Sequence, residues 1–319
     1  MRQSKGLRSW LAPCLRAFMA LKRAVGCDYR SQEKILLEFD RHVHEHVKAP
    51  LSSAALMDYL KAKSHLMPRS RDNVVAVLWQ ALAHAKRHGA PVMDLPPRPP
   101  KPAIHVCRRQ PRILTEAEFG VLLSTAARLT PADSYRPITT TTILGLLWTT
   151  GLRIGEALAL DVGDLDIHDR LLTVRAGKFG KTRVLPLRDS TAAALDRYVH
   201  HPLRQERTSC SAPLFISQRG KRLCVVSFHG TYKKAWAMAA LPGPRPHIHD
   251  LRHAFAVRRV AHWYAAGWDA NAQLPALSTY LGHVSVENTR LYLVANGALL
   301  EAASARFARG TAALDEVRP

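Results

Sequence analysis

Apolar residues recur with two different periods along this chain, and the change of period divides it. Through the first hundred residues the spacing is helical. The run SWLAPCLRAFMALKRAVG ends at a glycine, a C-terminal stop signal. In SQEKILLEFDRHVHEHV the apolar Ile35, Leu36, Phe39 and Val43 fall on one helical face. SSAALMDYLKAK opens with serines suited to N-capping, and RDNVVAVLWQALAHAKRHG is apolar on one side, basic at its end and stopped by Gly89. Four helices of this kind predict a small bundle over residues 1–93. His42, His44 and His46 tempt a metal reading, but residues two apart on a helix point away from each other. No cysteine or carboxylate cluster accompanies them, and the reading is rejected.

Residues 94–111, DLPPRPPKPAIHVCRRQP, hold six prolines and predict a semi-rigid extended linker. A second domain, residues 112–319, opens at ILTEAEFGVLLSTAARL, where Thr115 and Glu118 make a capping-box pattern. TTTTILGLLWTTG reads as a buried helix. The period then shortens: LDIHDRLLTVRAGKFGKTRVLPL alternates apolar and polar residues and turns at His168–Arg170 and Gly177–Lys181, predicting a small antiparallel sheet. Beyond Ser190 the pattern is helical again, with one short strand expected at PLFIS. The tail LVANGALLEAASARFARGTAAL holds a weakly amphipathic helix with Leu300, Ala303 and Phe307 on one side. The expected fold is mainly α with a small antiparallel β-sheet, in two domains.

Charge narrows the partner. The 319 residues carry 46 Lys and Arg against 25 Asp and Glu, a formal charge of +21. Residues 1–98 hold 17 basic and 8 acidic residues, so both domains are positive and neither is a neutral body with a basic tail. A polyanion gripped through its phosphates by two lobes fits this distribution. The five cysteines form no CxxC pair and read as ordinary thiols of a reducing cytoplasm, and no run approaches a membrane span. A cytoplasmic, nucleoid-associated protein is expected, with no membrane partner.

Four separated clusters carry candidate chemistry. In TGLRIGEALAL, Arg153 and Glu156 lie three apart and share a helical face; in AGKFGKTRVLPL, Lys178 stands at the tip of a glycine-flanked turn. HDLRH places His249 and Arg252 three apart, and YLGHVSVENTRLYL brings His283 and Tyr292. Each alone has a bland reading as a surface pair, a solvated turn or a core aromatic. Together they suit attack on a phosphodiester. Two arginines can clamp the non-bridging oxygens, a lysine can protonate a leaving oxygen, histidines can accept the proton of a tyrosine, and tyrosine can act as nucleophile. Nothing resembles a carboxylate cluster for Mg²⁺, so chemistry without metal or cofactor is expected.

TGLRIGE, HDLRH, LGH and the T-x-x-Y of Thr289–Tyr292 stand in the order and spacing of the tyrosine recombinases, the phage integrase family, which this chain resembles across its whole second domain. The helical first domain and linker resemble that family's DNA core-binding domain. The resemblance implies a site-specific recombinase in which Tyr292 attacks the scissile phosphate, forms a 3′-phosphotyrosyl link and releases a 5′-hydroxyl. Arg153 and Arg252 would hold the phosphate, Lys178 would be the general acid, His249 the proton-transfer partner of the tyrosine, and His283 a phosphate hydrogen-bond donor. Glu156 would support the site from behind by orienting Arg153 or a histidine. Lys181 and Arg183 stand close enough to Lys178 to compete for the acid role. AVRRVAHWYAAGWDANAQLP, between Arg252 and His283, is longer and more aromatic than a minimal member would have. The resemblance further implies double-stranded DNA as partner and a homo-tetramer on two DNA sites, a dimer on each, with sister recombinases or accessory proteins as further partners. The tail helix could pack in its own domain or dock on a neighbouring protomer. Mobile-element or chromosome-resolution roles fit this class. The neighbouring readings are a type IB topoisomerase, which rejoins the same strand, and a non-catalytic DNA-binding accessory protein.

Overall fold

The structure, a computed structural model, describes residues 6–100, 110–131, 134–175, 182–207 and 213–282. The chain divides into two compact units, Met1–Gln110 and Pro111–Pro319.

The first unit is built from α1 (Ala12–Ala24), α2 (Arg30–His46), α3 (Ser53–Ala62) and α4 (Pro68–Arg87). Local chemistry sets their ends. Gly26 takes a left-handed φ of 83° just past α1, and Gly89 does the same (77°) past α4, as their positions after apolar runs predict. Ser52 accepts a hydrogen bond from the Ala55 N–H at 3.1 Å and caps α3. Helix α4 starts earlier than its apolar pattern suggests because Pro68, pre-set in φ and lacking an N–H, sits in its first turn. Leu36, Phe39 and Val43 of α2 enter a core with Leu11, Leu15, Phe18, Leu56, Leu78 and Leu82. A fully buried Leu or Phe contributes about 2 kcal/mol by leaving water. The start of the proline-rich stretch is fastened to this bundle. Trp79 Nε1 donates to the Pro96 carbonyl at 3.2 Å, Arg98 pairs with Asp72 at 2.7 Å, and Ser53 Oγ donates to the Asp94 carbonyl at 2.6 Å.

The second unit opens with α5 (Glu116–Ala126), whose capping box forms as the sequence predicts: Glu118 N–H donates to Thr115 Oγ1 at 3.1 Å and Thr115 N–H to Glu118 Oε2 at 2.9 Å. Helix α6 (Arg136–Thr150) is buried through Ile143, Leu144, Leu146 and Leu147. Its threonines enter the interior cheaply because each hydroxyl donates to a carbonyl four residues back, Thr139 to Tyr135 and Thr150 to Leu146 among them, at 2.9 and 2.6 Å. The short α7 (Ile154–Ala159) follows and leads into strands β1 (Leu165–Asp166), β2 (Leu171–Val174) and β3 (Arg183–Pro186), antiparallel in the order β1-β2-β3. Leu172 and Leu185, paired across the sheet, face the core; Arg170, at φ 56°, makes the first turn. Helices α8 (Asp189–Val199), α9 (Pro202–Gln205), α10 (Val225–Ala239), α11 (Ile248–Ala265) and α12 (Ala270–Leu281) complete the described part.

PLFIS is not a strand. Its ends make only isolated bridges, Pro213 with Asp161 and Ile216 with Arg222, while Leu214, Phe215 and Ile216 are all buried. Burial on all sides, not sheet pairing, is what its apolar run recorded. The long aromatic stretch after Arg252 resolves into the end of α11, a turn at Gly267, and α12. Trp263 packs with Phe255, Val260, Leu274, Leu277 and Leu281 in a core of their own. Among the described residues no helix is long and apolar enough to cross a membrane.

Candidate active site

Two helix C-termini meet at one place in the second unit. Helix α6 ends at Gly151 and α12 at Gly282, both left-handed with φ of 65° and 66°. Conformation and space both call for glycine here. A Cβ on Gly151 would lie 2.6 Å from the Phe255 ring, and one on Gly282 would lie 2.8 Å from Arg183 Nη1. The carbonyls at such ends are left without helical partners and carry the negative end of the helix dipole.

Arginines take those carbonyls. Arg252, in the second turn of α11 and 1% exposed, donates through Nη1 to the Gly151 carbonyl at 2.9 Å and through Nη2 to the Leu281 carbonyl at 2.5 Å. Arg153, in the extended residue between α6 and α7, reaches the Gly282 carbonyl with Nη2 at 3.4 Å. Two guanidiniums held in one region repel each other, and the two helix ends offset that repulsion.

A carboxylate holds one of them. Glu156 Oε1 accepts from Arg153 Nη1 at 2.7 Å, and Oε2 accepts from the Arg153 backbone N–H at 3.0 Å. Arg183, first residue of β3, also binds it, with Nη2 2.8 Å from Oε2 and Nη1 3.3 Å from Oε1. Burial raises the Glu156 pKa, but the hydrogen bonds and charge of Arg183 and Arg153 outweigh it, and the carboxyl lies below its ordinary value. The sequence offered Arg183 as a rival to Lys178 for protonating a leaving group. Its guanidinium is instead taken up by Glu156 and, through Nε at 3.0 Å, by the Tyr280 carbonyl.

His249 precedes Arg252 by one helical turn and packs edge-on against His253, with ring centroids 5.0 Å apart. Desolvation, and then the like charges of Arg252 and Arg153, hold its imidazole below the usual histidine range against the opposing pull of Asp250 and Glu156. A neutral imidazole beside two cations is suited to accepting a proton.

Arg153, Glu156, His249 and Arg252, predicted from two separated motifs, are therefore neighbours. Lys178, Lys181, His283 and Tyr292 lie outside the described residues. Sequence reasoning missed the structural task of Arg183 and of the two glycines. The available signal was a glycine directly after each apolar helical run, in TTG and YLG.

Residues 112–298 match the phage integrase family. The chain belongs to that family, the tyrosine recombinases. Protein y4rB of Sinorhizobium fredii is 32% identical over 309 residues, covering 92% of this chain and 95% of that protein. Tyrosine recombinase XerD of Mycobacterium tuberculosis is 35% identical over 198 residues, which span 61% of this chain and 59% of XerD. Among solved structures, XerH recombinase bound to a palindromic difH substrate has a similar fold, with a TM-score of 0.68 at 17% identity over 92% of this chain and 84% of that one. A lambda integrase dimer bound to a core site has a TM-score of 0.62 at 18% identity, covering 89% and 95%. These likenesses make the tyrosine recombinase fold explicit: a mostly helical body with the small antiparallel sheet between Arg153 and Arg252.

Proposed function

We propose that this chain is a site-specific recombinase that binds double-stranded DNA and cuts it with Tyr292. The observation that carries the reading is the delivery of Arg153 and Arg252 to one place by two converging helix ends, with a neutral His249 beside them. The Tyr292 oxygen attacks the scissile phosphorus and gives its proton to His249. As the P–O5′ bond breaks, the departing 5′-oxygen takes a proton from Lys178, leaving a 3′-phosphotyrosyl link and a 5′-hydroxyl. Arg153 and Arg252 stabilise the extra charge on the non-bridging oxygens, and His283 donates a hydrogen bond to them. The bond energy is kept in the phosphotyrosine, so attack by a 5′-hydroxyl from a second duplex completes strand exchange without ATP.

The positive charge of both units supports a clamp in which residues 1–93 act as a core-binding domain and 94–111 as a strap along the DNA, ahead of the catalytic domain 112–319. The proposed working form is a tetramer on two sites.

The test is covalent trapping. Wild type and Tyr292→Phe are incubated with duplex DNA flanking the gene, in EDTA, and resolved under denaturing conditions. A protein–DNA adduct from wild type alone is expected, and its position maps the cleavage site. Equal DNA binding by both proteins with no adduct from either would favour a non-catalytic DNA-binding protein.

A further inference from the structure

Arg183 joins parts of the chain that sequence keeps far apart. It opens β3, directly after the connection that holds Lys178. It donates to both oxygens of Glu156, 27 residues away, and to the Tyr280 carbonyl, 97 residues away. Its guanidinium also lies against Gly282, where a Cβ would come within 2.8 Å of Nη1. With 14% of its side chain exposed and all three guanidinium nitrogens engaged, it has little left to offer a substrate. Arg153 differs: 28% of its side chain is exposed, and among the described residues its guanidinium bonds only Glu156 and the Gly282 carbonyl.

We propose that Arg183 is a positioning residue for strand cleavage. It saturates the Glu156 carboxyl so that Glu156 holds Arg153 in one orientation, and it braces the backbone from Tyr280 to Gly282 that leads into His283. Glu156 has about four acceptor positions on its two oxygens, and two guanidiniums and one backbone N–H occupy them. Without Arg183 the carboxyl can rotate, and Arg153 rotates with it. The same loss releases the Tyr280 carbonyl and opens a space beside Gly282. Lysine cannot substitute, because one ammonium cannot span Glu156 and the Tyr280 carbonyl in the fixed fork that a guanidinium provides.

This inference rests on the strand-cleavage reading above, and the experiment separates the two. The probe is duplex DNA trimmed around the position at which wild type attaches, made with either an ordinary or a sulfur-substituted 5′ leaving group. A thiolate leaves without needing a proton. In single turnover, counted per folded molecule, Arg183→Gln is expected to form adduct about 10- to 100-fold more slowly than wild type, with DNA affinity near wild type and a lowered melting temperature. Arg183→Lys falls between, and Glu156→Gln combined with Arg183→Gln is no slower than the worse single variant. Sulfur in the leaving group relieves a Lys178→Ala defect but not that of Arg183→Gln. Wild-type rates from Arg183→Gln would overturn the inference, and so would rescue by sulfur, which would make Arg183 a proton donor. Should Arg183→Gln fail to fold, Arg183→Lys decides: a folded Arg183→Lys that cleaves at the wild-type rate overturns it. Absence of any adduct from wild type would overturn the cleavage reading, and the positioning role with it.

Discussion

The two units bury charge for different ends. In the helical unit the fully buried Asp40 of α2 accepts hydrogen bonds from the backbone N–H of Arg8 at 2.5 Å and of Ser9 at 3.2 Å, and from Ser9 Oγ at 2.5 Å. It fastens the chain entering α1, and every partner is a fixed part of the fold. In the second unit the buried Arg252 also bonds backbone, but at the ends of two separate helices and beside another guanidinium. One carboxyl closes a structure. The arginines are held together by helix-end carbonyls and, for Arg153, by Glu156, an arrangement suited to receiving an anion. A buried charge thus reveals its purpose by whether the groups around it cancel it or add to it.

The sharpest way to break this contrast is Arg252→Met. Removing the guanidinium leaves the Gly151 and Leu281 carbonyls without it, and a loss of about 2–5 kcal/mol is expected in denaturant unfolding. Adduct formation should be abolished as well. Arg252→Lys keeps the charge without the fork; it should lose less stability yet still lose cleavage. Equal cleavage by the lysine variant would mean that charge alone suffices and that the helix-end geometry is incidental.

Asp40→Ala should cost about 2–3 kcal/mol by stranding the N–H groups of Arg8 and Ser9. Its effect on adduct formation, counted per folded molecule, should be slight. A cleavage defect as large as that of Arg252→Lys would erase the distinction between the units.

The smallest expected effect is a pH dependence at His249. Its folded pKa lies below the unfolded value near 6.5. As pH falls through 6.5, the unfolded chain takes up a proton that the folded chain resists, so stability declines toward the folded pKa and is recovered above 6.5. Melting wild type and His249→Gln at pH 5.5 and 7.5 should show a slightly larger acid loss for wild type. The cleavage rate of wild type should hold through that range and drop at more acid pH, as pH falls through the lowered folded pKa and the imidazole becomes charged. A rate with no acid limb in the folded protein would remove His249 as the proton acceptor.

Elements with one-sided apolar patterns were legible in advance: α2 with Leu36, Phe39 and Val43, the capping box of Thr115 and Glu118, and the turn at Arg170 that closes β1 on β2. Their signals lie within a few residues of one another, as local backbone and burial chemistry requires. PLFIS misled because a short apolar run looks alike whether a strand or an irregular buried segment made it.

Within the site, the order of motifs and the nearness of Arg153 to Glu156 could be read from sequence alone, because that contact is local, but Arg153 is the extended residue before α7 and does not share a helical face with Glu156. The second partner of Glu156 could not be read. Arg183 reaches it across 27 positions and reaches Tyr280 across 97, and no periodicity reports such distances. Nor could sequence say that Gly151 and Gly282 aim two helix ends at the same arginines. Residue type determined which groups could bind phosphate and where each helix had to stop. Only the packing of α6, α11 and α12 decided which carbonyls would face which guanidiniums, because long-range contacts are chosen by shape and burial over the whole unit.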